Sequence, residues 1–200
     1  MTPGARVAAQ IDILEAILSG VPAEKAMTNW ARGNRFAGSK DRAALRDLVF
    51  QALRCRRSAG ALPVPQSARA WAIGALRANG ADPNEFFTGI AYAPAALSAD
   101  DVTPLPSDRD RLDLQGWVID LLTQQYGSEQ TAEIGAVLRH RAPITLRVNL
   151  QKTTRAQLKA ELAKAEIETT LNPASDTALT VLSNPRRAVL QPCFEQGWFE

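Results

Sequence analysis

The stretch at residues 34–57, NRFAGSKDRAALRDLVFQALRCRR, most constrains what this chain can fold into. Its apolar residues recur at i, i+3, i+4, i+7 and i+8, namely Leu45, Leu48, Val49, Ala52 and Leu53. That spacing makes one apolar stripe on an α-helix. Gly38-Ser39 predicts the helix start, because Ser39 can accept a hydrogen bond from a free N–H group of the first turn. Asp41 suits the positive end of the helix dipole. We therefore expect a core helix that begins at Ser39.

Basic residues flank this apolar stripe at both ends. They are Arg35, Lys40, Arg42, Arg46, Arg54, Arg56 and Arg57. The spacing alone favours a solvated helix face, because most charged helix faces are only that. The alternative is a surface that contacts the phosphates of RNA.

The distribution of charge along the chain distinguishes its three parts. With 200 residues the chain forms one or two domains, and its net charge is only +2. Residues 1–60 carry ten Lys/Arg and five Asp/Glu, which is a local net charge of +5. Residues 61–140 carry five Lys/Arg and ten Asp/Glu, and residues 141–200 carry eight Lys/Arg and six Asp/Glu. A basic first part suits nucleic acid, whereas the acidic middle part suits a different partner or another part of the protein.

Several classes of protein are disfavoured by the sequence. It has no run of about 18 apolar residues and no secretory signal pattern, so we expect a cytoplasmic protein without membrane spans. The two cysteines, Cys55 and Cys193, lie far apart and predict neither a disulfide framework nor a metal site. Cys55 stands between two arginines, which can lower the pKa of a thiol, but no base is near it in sequence. We expect both thiols to be structural.

Helical patterns fill the chain up to about residue 139. They cover residues 5–18, 23–32, 39 onward, 67–79, 83–89, 114–126 and 129–139. Asp82 before Pro83 predicts an N-cap, Pro63-Val64-Pro65 a turn, and Gly127-Ser128 a break between two helices. Three tryptophans occupy apolar stripes and are predicted to be core residues: Trp30, Trp71 and Trp117.

The pattern changes near residues 139–143. Ile144, Leu146 and Val148 alternate with polar residues, which predicts a strand, and Thr154 then begins a helix to about Ala165. Short strands follow at residues 167–171 and 178–182. The predicted fold is mainly α, with an all-helical domain over residues 1–140 and a small β-α-β-β (α+β) subdomain over residues 141–200.

Segments in both parts carry the motifs of one family. They are FAGSKDRAALRDLVFQALR at 36–54, LQGW at 114–117 with YG at 126–127, APITLRVN at 142–149 and GWFE at 197–200. With these segments the chain resembles the Sun/Fmu family, the ribosomal RNA small-subunit methyltransferase B enzymes. The last three resemble the family's "LPxW…yG" helix, its "AP-x-x-LRVN" strand and the start of its "GxFxVQD" segment. Gln115-Gly116 departs from the family's Pro and polar residue.

The resemblance implies a NusB-like RNA-binding domain over residues 1–140 and a subdomain that leads into a methyltransferase domain beyond residue 200. That family transfers methyl from S-adenosylmethionine to cytosine C5 of 16S rRNA, through a cysteine thiolate. Neither a glycine-rich cofactor turn nor the family's Pro-Cys motif is present here, and Pro192-Cys193 lacks the flanking residues of that motif. We therefore expect no catalytic, cofactor-binding or metal-binding residue in this chain, which alone should be inactive. Trp198 and Phe199 are expected to be exposed where the sequence ends.

The resemblance also implies an RNA surface. Its predicted phosphate contacts are the seven basic residues of the 34–57 stretch, and Arg147, Asn149 and Lys152 are predicted to extend it. Arg147 lies on the strand face opposite Leu146 and Val148. For this residue, a structural ion pair at the domain interface is as well supported as a contact with RNA. The expected partners are small-subunit rRNA and the protein's own methyltransferase domain.

Two other functions remain open at this point. One is a free-standing NusB-like RNA-binding or antitermination module, against which the β-α-β-β subdomain argues. The other is a protein-interaction module that docks a partner through the acidic middle part. RNA affinity that falls steeply with salt would separate the two RNA-binding functions from the protein-interaction module.

Overall fold

Helices build the first part of this chain and a small sheet builds the second. A computed structural model describes residues 1–60, 67–101 and 105–200. These residues form two compact units, Met1–His140 and Arg141–Glu200. The mainly α fold with a small α+β subdomain, predicted from the sequence, is confirmed. The turn predicted at Pro63-Val64-Pro65 lies outside the described residues.

The first unit is a helical assembly around α1. Its helices are α1 (Pro3–Leu18), α2 (Ala23–Gly33), α3 (Ser39–Arg54), α4 (Ala68–Ala78) and α5 (Gly116–Leu138). Short 3-10 helices cover Pro83–Glu85, with the predicted Asp82 cap, and Asp110–Leu112. Helix α1 packs against α2, α3 and α4, and Trp71 and Ile73 of α4 are fully buried. None of the described helices is long and apolar enough to cross a membrane.

The apolar stripe predicted for α3 faces the core. Leu45, Val49 and Ala52 are buried on it. The predicted cap is wrong by one residue, because Gly38 is the N-cap and Ser39 is the first helical residue, with no side-chain cap bond. The Asp41 carboxylate instead accepts hydrogen bonds from Arg6 at 2.8 Å and from the N-terminal ammonium at 3.1 Å. These contacts lower the pKa of Asp41, and the hydrogen bond from Arg6 has the largest effect.

Helix α5 is interrupted, as predicted, at Gly127. This residue has φ 81° and ψ 168°, which is not helical. The prediction that Trp117 is a core residue is wrong, since 63% of its surface is exposed. The buried residue of this turn is Ile119. A residue two positions away on a helix points about 200° around the axis, so Trp117 and Leu121 both face away from that buried side.

The second unit is a three-stranded antiparallel sheet with one covering helix. The strands β1 (Ile144–Arg147), β2 (Thr169–Leu171) and β3 (Ala178–Val181) have the order β1-β3-β2. Helix α6 (Arg155–Lys164) packs on β2 and β3 and starts with a capping box between Thr154 and Gln157. Leu158, Leu162 and Leu179 are fully buried among these elements.

The end of the chain belongs to this second unit. Two one-turn helices, α7 (Pro185–Ala188) and α8 (Pro192–Glu195), follow the sheet, each with Pro as its first residue. Phe199 forms an antiparallel bridge with Val148 and is buried, and Trp198 is half-buried. The expectation that both aromatics are exposed is therefore wrong, because the backbone of this segment pairs with the end of β1 and carries Phe199 into the core.

Candidate nucleic-acid interface

Three of the predicted RNA-contacting side chains lie at the start of α3 and carry uncompensated positive charge. Arg35, Lys40 and Arg42 are all exposed. None of their side chains makes a hydrogen bond or an ion pair with any residue that the structure describes. Phe36 lies beside them with 72% of its surface exposed, and its ring meets the half-buried Trp30 edge-on at 6.4 Å between centroids. The start of α3 therefore offers three free cations and one exposed aromatic ring.

Arg46 differs from these three because it already has an anionic partner. Its guanidinium donates to both carboxylate oxygens of Glu24, at 2.9 and 2.5 Å, and lies over the Phe50 ring at 5.2 Å. Since Glu24 belongs to α2, this pair links α2 to α3. The sequence groups Arg46 with the other predicted phosphate contacts, because helical spacing does not reveal a partner 22 positions away in the chain.

A buried carboxylate organises the region behind the C-terminal end of α3. Asp113, whose side chain is only 2% exposed, accepts hydrogen bonds from the backbone N–H groups of Arg57 and Ser58 at 2.9 and 2.8 Å. The Ser58 hydroxyl donates to its second oxygen at 2.6 Å, and Arg139 forms an ion pair with that oxygen at 3.0 Å. Sequence reasoning missed Asp113, because its partners lie at least 26 positions away in the chain and no local pattern marks it.

The three arginines at this end of α3 are only partly engaged. Arg54 donates from Nε to the carbonyl of Arg139 at 3.1 Å. Arg57 lies 3.6 Å from a carboxylate oxygen of Asp110. The guanidinium of Arg56 stacks over the Trp71 ring at 5.1 Å, and its Nε is buried without a hydrogen-bond partner in the described part of the chain.

These arginines line an open cavity of about 470 Å³ together with the start of α5. Its other lining residues include Leu53, Asp113, Gln115, Gly116 and Trp117. The Trp117 indole N–H donates to Gln115 Oε1 at 2.6 Å. The sequence contained a signal for this placement, since the core-facing stripe of α5 can be drawn through Val118, Ile119 and Leu122 instead of through Trp117.

The predicted residues of the second unit hold the end of the chain. Asn149 Nδ2 donates to the carbonyl of Gly197 at 3.1 Å, and Lys152 Nζ donates to that of Gln196 at 2.7 Å. Arg147 is exposed and forms an ion pair with Glu200. The structural ion pair considered for Arg147 is thus present, but it lies within the second unit.

Both cysteines are buried free thiols. Burial, together with the nearby Asp113 carboxylate, raises the pKa of Cys55 to about 11. The lowered thiol pKa considered from the flanking arginines is therefore wrong in sign. Burial also raises the pKa of Cys193, which packs in the core of the second unit. Among the described residues, no group of three or more His, Cys, Asp or Glu side chains is placed to hold a metal ion.

Comparison with known proteins agrees with the motifs. Residues 115–187 match the model of the "Methyltr_RsmF/B-like, ferredoxin-like domain". The chain is 37% identical over 91 residues to ribosomal RNA small subunit methyltransferase B of Vibrio cholerae, a match that covers 46% of this chain and 20% of that protein.

A solved structure shares the fold along the whole chain. It is titled "Crystal Structure of PH0851", has a TM-score of 0.56 at 14% identity, and is covered over 53% of its length by the whole of this chain. Both similar proteins are therefore much longer than the matched part. The family model over residues 115–187 and the curated relative thus support the resemblance of this chain to the Sun/Fmu family, which includes ribosomal RNA small subunit methyltransferase B.

Proposed function

We propose that this chain is the cytoplasmic, RNA-binding N-terminal portion of a SAM-dependent 16S rRNA (cytosine-C5) methyltransferase. In this proposal its first unit is a NusB-like domain that positions small-subunit rRNA for a methyltransferase domain outside these 200 residues. The name of the Vibrio cholerae relative supports the substrate class. The observation that carries the RNA-binding role is the group of free cations at the start of α3.

Arg35, Lys40 and Arg42 are the principal phosphate contacts in this proposal. They are exposed and hold no anionic partner among the described residues, so RNA phosphates need not displace an existing ion pair. Contacts of this kind fix the position of RNA and carry no sequence information. Arg46 contributes less, because RNA must compete with Glu24 for its guanidinium.

The remaining predicted contacts fall into two groups. Arg54, Arg56 and Arg57 form a second basic group at the other end of α3. Arg147, Asn149 and Lys152 supply further RNA contacts from the second unit, and each must give up a contact within the chain to bind RNA.

The residues present here do not fit S-adenosylmethionine. Such a site needs a glycine-rich turn that follows a strand. The described strands are followed instead by Val148-Asn149, Asn172-Pro173 and Leu182-Ser183. In the proposal the cofactor is therefore held by the parent protein's methyltransferase domain, and this chain handles the RNA.

A salt titration of RNA binding tests the proposal. The affinity of the chain for a labelled fragment of small-subunit rRNA is measured by fluorescence anisotropy at several salt concentrations. For single-stranded RNA the slope of log K against log salt is about −0.7 per neutralised phosphate. We expect the pair Lys40→Gln and Arg42→Gln to reduce the steepness of that slope by about 1.4.

A matched pair of substitutions controls for net charge. Lys159→Gln and Arg186→Gln remove two positive charges from exposed positions of the second unit that have no ion pair with described residues. This pair should leave the slope nearly unchanged. Equal effects of the two pairs would mean that only total charge matters, and absence of salt-dependent binding by the unaltered chain would overturn the proposal.

The enzymatic part of the proposal needs the full-length gene product. Incubated with S-adenosylmethionine and small-subunit rRNA, it should methylate cytosine C5, and Lys40→Gln with Arg42→Gln should raise KM for rRNA with little change in kcat. A gene product that binds rRNA but transfers no methyl group would leave the antitermination-type module as the function.

A further inference from the structure

The cavity between the end of α3 and the start of α5 combines an aromatic ring with several cations. Trp117 is 63% exposed, and its hydrogen bond to Gln115 fixes the indole N–H. Because Trp117 lines the cavity, is mostly exposed and has its polar group already bonded, its ring surface is available for contact with a ligand. Stacking on an aromatic face is a common way in which proteins hold unpaired bases.

The charges around this cavity favour an anion. Arg54, Arg56 and Arg57 supply three guanidinium groups, whereas the carboxylate that lines the cavity, Asp113, is already paired with Arg139. Among the described residues, the Arg54 and Arg57 side chains each make one polar contact, which leaves other guanidinium nitrogens available for hydrogen bonds. Guanidinium groups bind phosphate oxygens in forked pairs and also stack on bases.

We propose that this cavity binds an unpaired nucleotide of RNA, with its base stacked on Trp117 and its phosphate held by the arginines at the end of α3. The proposal rests on the RNA-binding function proposed above and adds to it a feature of the RNA, a base that is not in a helix. Bases inside a duplex cannot fill this site, because they are paired and stacked on both faces.

The test compares two RNAs of the same helical sequence on the whole 200-residue chain. One is a blunt-ended hairpin whose two strands are joined by a non-nucleotide linker, so that it has no unpaired base, and the other is the same hairpin with a single-stranded extension. The change is Trp117→Ala. Because loss of one base–aromatic stack weakens binding by roughly 5- to 150-fold, we expect that loss for the extended hairpin and an unchanged affinity for the blunt one. The salt slope should also be unchanged, because the indole carries no charge.

Two further variants separate stacking from other roles. Trp117→Phe keeps an aromatic face and should retain most of the affinity for the extended hairpin. Leu121→Ala removes an exposed apolar side chain one turn further along α5 and should leave both affinities unchanged. Far-UV circular dichroism of all three variants should match that of the unaltered chain, because both positions face solvent.

The outcomes are distinguishable from failure of the RNA-binding proposal. If the unaltered chain binds neither hairpin, both proposals fail. If it binds and Trp117→Ala binds the extended hairpin equally well, only the stacking site fails. An equal loss on both hairpins, or a loss that Trp117→Phe does not restore, also overturns the unpaired-nucleotide site.

Discussion

Asp113 connects three separate parts of the first unit. Its carboxylate accepts hydrogen bonds from the two backbone amides that follow α3 and from the hydroxyl of Ser58, and it forms an ion pair with Arg139. The Arg139 guanidinium also donates to the carbonyl of Ala78 at 3.0 Å. The backbone of Asp113 is left-handed, with φ 55°. A carboxylate that is almost fully buried needs such partners, because an unpaired buried charge is costly. The same carboxylate lines the cavity of Trp117, so the stability of this region and the shape of the proposed site depend on one side chain.

Replacing Asp113 by Ala should destabilise the helical unit by about 3 kcal/mol, because the change leaves Arg139 and two partly buried backbone amides without their partner. Urea unfolding of the whole chain, followed by far-UV circular dichroism, measures this loss. Asp108→Ala is the control, since the Asp108 side chain is fully exposed and its ion pair with Arg111 spans 3.6 Å. A midpoint for Asp113→Ala equal to that of the control would contradict the structural role.

Residue-level features of the site were the hardest to predict from the sequence. The exposed cations at Arg35, Lys40 and Arg42 follow from composition and position. The engagement of Arg46 by Glu24, and the role of Asp113, depend on contacts between residues distant in the chain, which spacing does not encode. The sequence predicts a core position for Trp117 because tryptophans on apolar stripes are usually buried, although the apolar residues around it allow a second stripe.

At the scale of elements, helix α5 shows how one backbone position can divide a helix. Gly127, with φ 81° and ψ 168°, occupies a region that is essentially restricted to glycine. The Thr131 hydroxyl donates to its carbonyl at 2.7 Å and Thr131 is buried, so the break is held in place by the segment that follows. The two halves of α5 can therefore bury different faces.

We expect Gly127→Ala to destabilise the chain by about 1–3 kcal/mol, because alanine is strained in that conformation. Gly33→Ala is the matched control. Gly33 is the last residue of α2, no atom lies within 4 Å of the position of an added Cβ, and its φ is not positive. The control should be neutral or slightly stabilising, by up to about 1 kcal/mol. The measurement is the urea midpoint of each variant, and equal midpoints for the two would contradict the assignment.

Element boundaries set by local chemistry were predicted well. The caps at Asp82 and Thr154 and the break at Gly127 are confirmed, because side-chain capping and glycine conformations are local properties. The cap of α3 is off by one residue, since Gly38 can take the extended cap conformation as readily as Ser39. The helical turns at Pro185–Ala188 and Pro192–Glu195 were not predicted, because a single turn carries no periodicity.

For the whole molecule, the distribution of charge and the two compact units carry the functional argument. The basic first 60 residues supply the free cations at the start of α3 and the arginines at its end, all within Met1–His140. The second unit has its own buried core, and its cations Arg147 and Lys152 lie next to the segment that ends the chain. The alternation of β1 predicted the outward side of Arg147 but not its partner, Glu200, which lies more than 50 positions away.

Arg147 and Lys152 already have partners within the second unit, whereas the cations at the start of α3 have none among the described residues. This difference predicts how much each unit contributes to RNA binding. The pair Arg147→Gln and Lys152→Gln removes two positive charges, and two phosphate contacts would be worth about 1.4 in the salt slope. We expect a fall of less than about 0.7, because RNA must break the Lys152 bond to Gln196 and the Arg147 pair with Glu200 before it gains either cation.

The measurement is the anisotropy titration on the whole chain, with Lys159→Gln and Arg186→Gln as the pair of equal charge in the same unit. Circular dichroism must show that the sheet of the second unit is retained, since Lys152 also holds the segment that carries the buried Phe199. A fall of about 1.4, with the control pair unchanged, would show that both cations neutralise phosphates. The RNA-contacting surface would then include the second unit as a full contributor.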